Sequence, residues 1–157
     1  MVIARSVFAR AQLSAMIRGM PRHLSAGEAA LPPVELEMHK YHAAATRTLE
    51  HLQETIEAFV DARDDDSDVD FSGDVLNFTV PDRGTFVLNK QAPNKQIWLS
   101  SPISGPLRYD LDVNALDWVC TRDRASLGAT LSRDITQLTG HDIRFDVKSA
   151  LVQALRS

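Results

Sequence analysis

From Met38 to Phe59 the apolar residues Met38, Tyr41, Ala45, Leu49, Leu52, Ile56 and Phe59 recur at steps of three and four. That period predicts a helix from about Glu35 to Arg63, with one stripe facing a core. Farther along, the period changes to two. In "VLNFTV", Leu76, Phe78 and Val80 alternate with Asn77 and Thr79. In "TFVLNKQ", Phe86 and Leu88 take the inner positions; in "QIWLSS", Ile97 and Leu99; in "PLRYDLD", Leu107, Tyr109 and Leu111. A short strand, "WVCT", follows. Pro81-Asp82-Arg83-Gly84 supplies a turn. Short turns separate the other segments, so the pattern predicts an antiparallel meander with one wet face. The acidic stretch "RDDDSDVDFSGD" reads as a turn leading into these strands.

The helical period returns over Ser126 to Leu138, with Leu127, Leu131, Ile135 and Leu138 as the stripe. Ser126 is placed to cap it and Gly140 to stop it. From His141 the pattern predicts one more strand, then a short helix over "KSALVQALR". Helix, run of strands, helix predicts an α+β fold. It is a two-layer α-β sandwich, with two helices packed on one face of an antiparallel sheet and the other face open.

Alternation also fixes where the polar positions point. With Ile97 and Leu99 inside, Trp98 faces out; by the same logic Asn89, Gln96, Ser100 and Arg108 share its side. Trp, Arg and amides on a flat surface are the composition of a protein-binding hot spot. The alternative is an indole covered by its own loop, "SSPISGP". Two Asn-Lys-Gln triplets frame the segment. Taking in the remaining residues of both triplets, the candidate partner-binding set is Asn89, Lys90, Gln91, Asn94, Lys95, Gln96, Trp98, Ser100 and Arg108.

The length of 157 residues suits one domain plus an extension. Residues 1–27 carry Arg5, Arg10, Arg18 and Arg22, with small and apolar residues between them and no acid. That is the composition of a mitochondrial presequence. The expected division is a presequence over 1–24, a Pro-bearing linker over 25–35 ("SAGEAALPPVE") and a domain over 36–157. Loss of residues 1–24 removes four of the 17 basic residues and none of the 21 acids, which takes the net charge from −4 to −8. Such a chain is a poor nucleic-acid binder and a better match for cations or basic protein surfaces. No apolar run reaches the roughly 18 residues of a membrane span. The one cysteine, Cys120, permits no intrachain disulfide.

Glu50, Glu54, Glu57 and Asp61 form a second stripe on the first helix, spaced four, three and four. With Asp68 and Asp70 they make the candidate metal set, and Asp64, Asp65 and Asp66 extend the field. Carboxylates are hard donors that suit iron, manganese, calcium or magnesium. An open, solvated stripe binds weakly, and its plain alternative is a charged wet face. Other motifs fail. "DVDFSG" starts like a calcium loop, but Thr79 stands where the bidentate Glu belongs. His39 and His42 lack a third ligand, His51 reads as surface, and Cys120 reads as packing.

"NKQAPNKQIWLSSPISGPLRYD" resembles the frataxin signature. The similarity runs from Tyr41 through "DVDFSGDVLNFTVPDRGTFVLNKQ" to "WVCTRDRASLGATLSRDI". The resemblance implies a matrix protein of mitochondria that binds ferrous and ferric iron weakly. It also implies docking on the complex of cysteine desulfurase and iron–sulfur scaffold protein, which accelerates sulfur transfer. Asn89, Gln96, Trp98 and Arg108 match the family's contact positions, and the acids match its ridge. Ferrochelatase is a further implied recipient of iron. The alternative activity is that of a ferroxidase or iron store acting as an oligomer; the state implied is a monomer or an iron-dependent homo-oligomer. One departure stands out: the first helical turns, usually acidic, read Ala43, Ala44, Thr46 and Arg47 here.

Overall fold

The computed structural model describes residues 36–63 and 66–156. The presequence and linker expected over 1–35, together with Asp64 and Asp65, lie outside the described residues. The first element is helix α1, Met38–Asp61. Its stripe is buried as the spacing requires: Tyr41, Ala44, Ala45, Leu49, Leu52 and Ile56 are all at most 1% exposed. Met38 is the exception. It opens the helix at 43% exposure and is not a core residue. Phe59, at the far end, is half-buried and packs against the core rim.

Six strands follow: β1 (Asp68–Ser72), β2 (Val75–Val80), β3 (Gly84–Gln91), β4 (Gln96–Ser101), β5 (Gly105–Asp112) and β6 (Asp117–Cys120). They form one antiparallel sheet in sequential order, the meander that the alternation implies. The expected acidic turn is in part strand β1, because Val69 and Phe71 turn inward between Asp68, Asp70 and Ser72. Gly84 has φ +135°, and a Cβ there would lie 2.7 Å from the Pro102 Cβ. Two neighbouring hairpin turns therefore touch at a point where only glycine fits.

Helix α2, Leu127–Thr139, follows Ser126, which takes the extended N-cap backbone but makes no side-chain capping hydrogen bond, so the expected cap does not form. The helix ends at Gly140, whose left-handed φ of 79° lets its N–H reach the Thr136 carbonyl at 2.8 Å. Helix α3, Val147–Leu155, is the short C-terminal helix that the tail predicts. Asp146 caps it, accepting from the Ser149 N–H at 3.1 Å and the Ser149 hydroxyl at 2.6 Å. The strand expected after His141 does not form. Residues 141–146 carry no sheet pairing. Ile143 and Phe145 still turn toward the core, which is the alternation that suggested a strand.

Helix α1 lies over β1 to β3, α2 against β6, and α3 runs beside α1. The core between the layers holds Phe78, Phe86, Leu88, Ile97, Leu99, Tyr109 and Trp118. Each large apolar side chain buried there contributes about 1.5–3 kcal/mol. Trp118 donates its indole N–H to the Thr48 hydroxyl at 2.9 Å, so its one polar atom is satisfied. Cys120 is buried in the same core. Among the described residues, no helix is long and apolar enough to cross a membrane.

Candidate functional site

The register of the sheet places the outward residues in rows. One row runs Ser72, Val75, Asn89, Trp98, Arg108 across five strands. Its neighbour holds Asp70, Asn77, Val87, Ser100 and Pro106. On the other side lie Gln91, Gln96 and Asp110. Trp98 is half-buried on this open face, while Ile97 and Leu99 on either side are buried in the core.

The Trp98 ring is held from two directions. The Arg108 guanidinium lies over it, 4.5 Å from the ring centroid. The indole N–H donates to the Gln96 side-chain carbonyl at 2.9 Å, and the Gln96 amide donates to Asp110 at 2.8 Å. A ring fixed in this way loses little rotamer freedom when another surface covers it. Beside it is an open groove of about 400 Å³ lined by Val87, Asn89, Trp98, Ser100, Pro106 and Arg108. Val87, Pro106 and Asp110 were absent from the sequence-based set. Alternation with Asn89 and Arg108 was the signal that could have found them.

Not every residue of that set joins the face. Lys90 pairs with Ile97 in the register and so points to the helix side. Its ammonium meets Asp74 at 2.6 Å and the Thr46 hydroxyl at 3.3 Å, leaving the side chain only 11% exposed. Lys95 takes a left-handed φ of 53° and donates to the Leu36 carbonyl at 2.7 Å. Lys95 thus ties the β3–β4 connection to the start of α1, while Lys90 links β3 to Asp74 and to Thr46 in α1. Asn94 is exposed on the short 3-10 turn between the strands, and Gln91 is half-buried at the face's edge.

The acids divide between two elements. Glu54, Glu57 and Asp61 are exposed along α1, and Glu50 is half-buried. Asp68 and Asp70 are exposed on β1, at the edge of the open sheet face. Arg47 lies at the upper end of the helical stripe, 3.4 Å from Glu50 and 3.2 Å from Glu54. The Gln53 amide donates to Glu57 at 2.7 Å. Among the described residues, no three His, Cys, Asp or Glu side chains are grouped as a metal-binding cluster. As donors the carboxylates suit a hard cation; their spacing offers pairs, not a closed shell.

Fold and site together define a small α+β sandwich with a Trp-centred sheet face that no element among the described residues covers, and a separate acidic helix surface. A model of the frataxin-like domain matches residues 34–141, and the chain belongs to the frataxin family. It is 41% identical over 110 residues to the mitochondrial frataxin of Arabidopsis thaliana, covering 69% of this chain and 59% of that protein. It is 42% identical over 103 residues to the mitochondrial frataxin homolog of Saccharomyces cerevisiae, covering 65% of this chain and 58% of that one. The match thus spans somewhat under two thirds of either relative. Among solved structures, trimeric yeast frataxin complexed with ferrous iron superposes at a TM-score of 0.57 with 37% identity, covering 70% of this chain and 94% of that one.

Proposed function

We propose that this chain is an iron-binding protein of the mitochondrial matrix that activates the cysteine desulfurase–scaffold complex in iron–sulfur cluster assembly. The domain spans 36–157 behind a presequence and linker. The open sheet face docks on the complex through Trp98, with Asn89, Gln96, Ser100 and Arg108 around it. The observation that carries this reading is the pinned Trp98–Arg108 stack on a face that no element of the described fold covers. Gln91 and Asn94 extend the contact at its edge, whereas Lys95 holds the β3–β4 connection in place and Lys90 braces β3 from the helix side.

Ferrous iron is the cargo. The acids of α1, chiefly Glu57 and Asp61, hold it weakly through solvated carboxylate pairs, with Asp68 and Asp70 adding negative potential at the sheet edge. The same charge suits a basic partner surface. Ferrochelatase is a second recipient consistent with a weakly held ferrous ion.

The ferrous complex of trimeric yeast frataxin favours a second reading, in which this chain acts as an oligomeric ferroxidase or iron store. Two variants separate the readings. On the docking reading, Trp98→Ala abolishes desulfurase stimulation and leaves iron binding intact. On the storage reading, combined Glu50, Glu54 and Glu57→Ala abolishes ferrous oxidation and assembly, and Trp98→Ala leaves both intact. A Trp98→Ala protein that stimulates the desulfurase normally refutes the docking assignment.

A further inference from the structure

The Glu50–Glu54 step is where a hard cation bridging two carboxylates one helical turn apart belongs. It already holds one. Arg47 Nη1 lies 3.4 Å from the Glu50 Oε2 and 3.2 Å from the Glu54 Oε1. From the other side, its Nε donates to the Gln153 Oε1 of α3 at 3.2 Å. The guanidinium is therefore oriented by two helices. It is not a free surface charge that happens to lie near an acid.

Resting on the reading that the acids of α1 take ferrous iron, we infer that Arg47 is the resident counter-cation of this step and excludes divalent metal from it. A metal ion arriving at Glu50 and Glu54 competes for the same carboxylate lone pairs. It also meets a fixed positive charge one hydrogen-bond length away. An exposed ion pair of this kind contributes little to folding, yet it decides occupancy, because the competitor is covalently attached and cannot diffuse away. The carboxylates in turn raise the arginine's pKa, chiefly through the hydrogen bond to Glu54. Metal is thereby directed down the helix toward Glu57 and Asp61, beyond Arg47's contacts. Gln153 is a positioning residue: it holds the fork in place through Nε.

The test is a Mn²⁺ titration of the full ¹⁵N-labelled chain at low ionic strength, following paramagnetic broadening of the Glu50, Glu54, Glu57 and Asp61 amides. In Arg47→Gln, broadening at Glu50 and Glu54 begins at an Mn²⁺ concentration at least about threefold lower than in the parent chain, the effect of removing one unit charge a few ångströms away in a watery dielectric. Arg47→Lys keeps the charge and stays near the parent. Gln153→Ala, made on α3 without touching α1, shifts the onset in the same direction as Arg47→Gln. Equal onset at Glu50 and Glu54 in the parent and in Arg47→Gln overturns the inference. If Glu57 and Asp61 still broaden in that case, iron binding by α1 stands. If no acid of α1 broadens in any variant, both fall.

Discussion

Arg108 and Trp98 face each other across β4 and β5, with the guanidinium carbon 4.5 Å from the indole centroid. A cation–π contact at an exposed site contributes roughly 0.5–1 kcal/mol. Arg108→Ala therefore lowers folding stability by no more than about 1 kcal/mol in urea denaturation. The same change weakens docking more than folding, because the indole then meets its partner without a preset orientation. A folding loss larger than the docking loss contradicts this division.

Thr48 and Trp118 make a different kind of pair, buried at the helix–sheet interface. Thr48→Val keeps the volume and removes the acceptor of the indole N–H. An unsatisfied buried donor costs about 1–3 kcal/mol. Denaturant midpoints should fall accordingly, with desulfurase stimulation per folded molecule unchanged.

Asp134 is fully buried in α2, accepting from the Ser101 hydroxyl at 2.7 Å and from Arg133 at 2.8 and 2.9 Å. The Ser101 oxygen in turn accepts the backbone N–H groups of Ile103 and Ser104, each at 3.1 Å. The carboxylate thus fastens the turn between the two strands that carry Trp98 and Arg108. Arg133 bonds to the carboxylate's other oxygen, whereas the Ser101 bond is the one that reaches the turn. Asp134→Ala should cost about 2 kcal/mol. Hydrogen exchange at Ile103 and Ser104 should accelerate before the rest of the sheet; unchanged protection there contradicts the role assigned.

Burial pushes the phenol of Tyr41 up to about 12, and burial does the same to Tyr109, also to about 12. The unfolded phenols titrate near 10. Between pH 10 and 12 the folded state keeps protons that the unfolded state has released, so stability falls with rising pH. Their contribution is fully present below pH 10 and is lost up to about pH 12, at about 1.4 kcal/mol per pH unit for each group. Tyr41→Phe and Tyr109→Phe should each flatten the alkaline limb of stability against pH; parallel curves rule this out.

The four central strands were legible because the middle of each inner row is apolar: Leu76 and Phe78, Phe86 and Leu88, Ile97 and Leu99, Leu107 and Tyr109. β1 was hidden: its outer residues are Asp68, Asp70 and Ser72, a composition that reads as a turn although Val69 and Phe71 keep the strand period. The strand expected after His141 had the opposite problem. Ile143 and Phe145 alternate correctly, but period says nothing about whether a neighbouring strand is present to pair with. Lys90 could have been placed from register alone, since a residue next to Asn89 on a strand must face the other way. Arg47 stood out in the sequence as a cation at the upper end of the acidic stripe, but its contact with Gln153 was not readable, because that residue lies 106 positions along the chain.

The central claim is that the bare sheet face is the docking surface. The most direct measurement is a titration of the ¹⁵N-labelled protein with the desulfurase–scaffold complex, following side-chain and backbone resonances together. The account predicts that the Trp98 indole N–H, the Arg108 Nε–H and the Asn89 and Gln96 amides broaden first. Trp98→Ala should cost at least about 2 kcal/mol of affinity, roughly thirtyfold. Early broadening confined to α2 and α3, with the Trp98 indole unmoved at saturation, would contradict it.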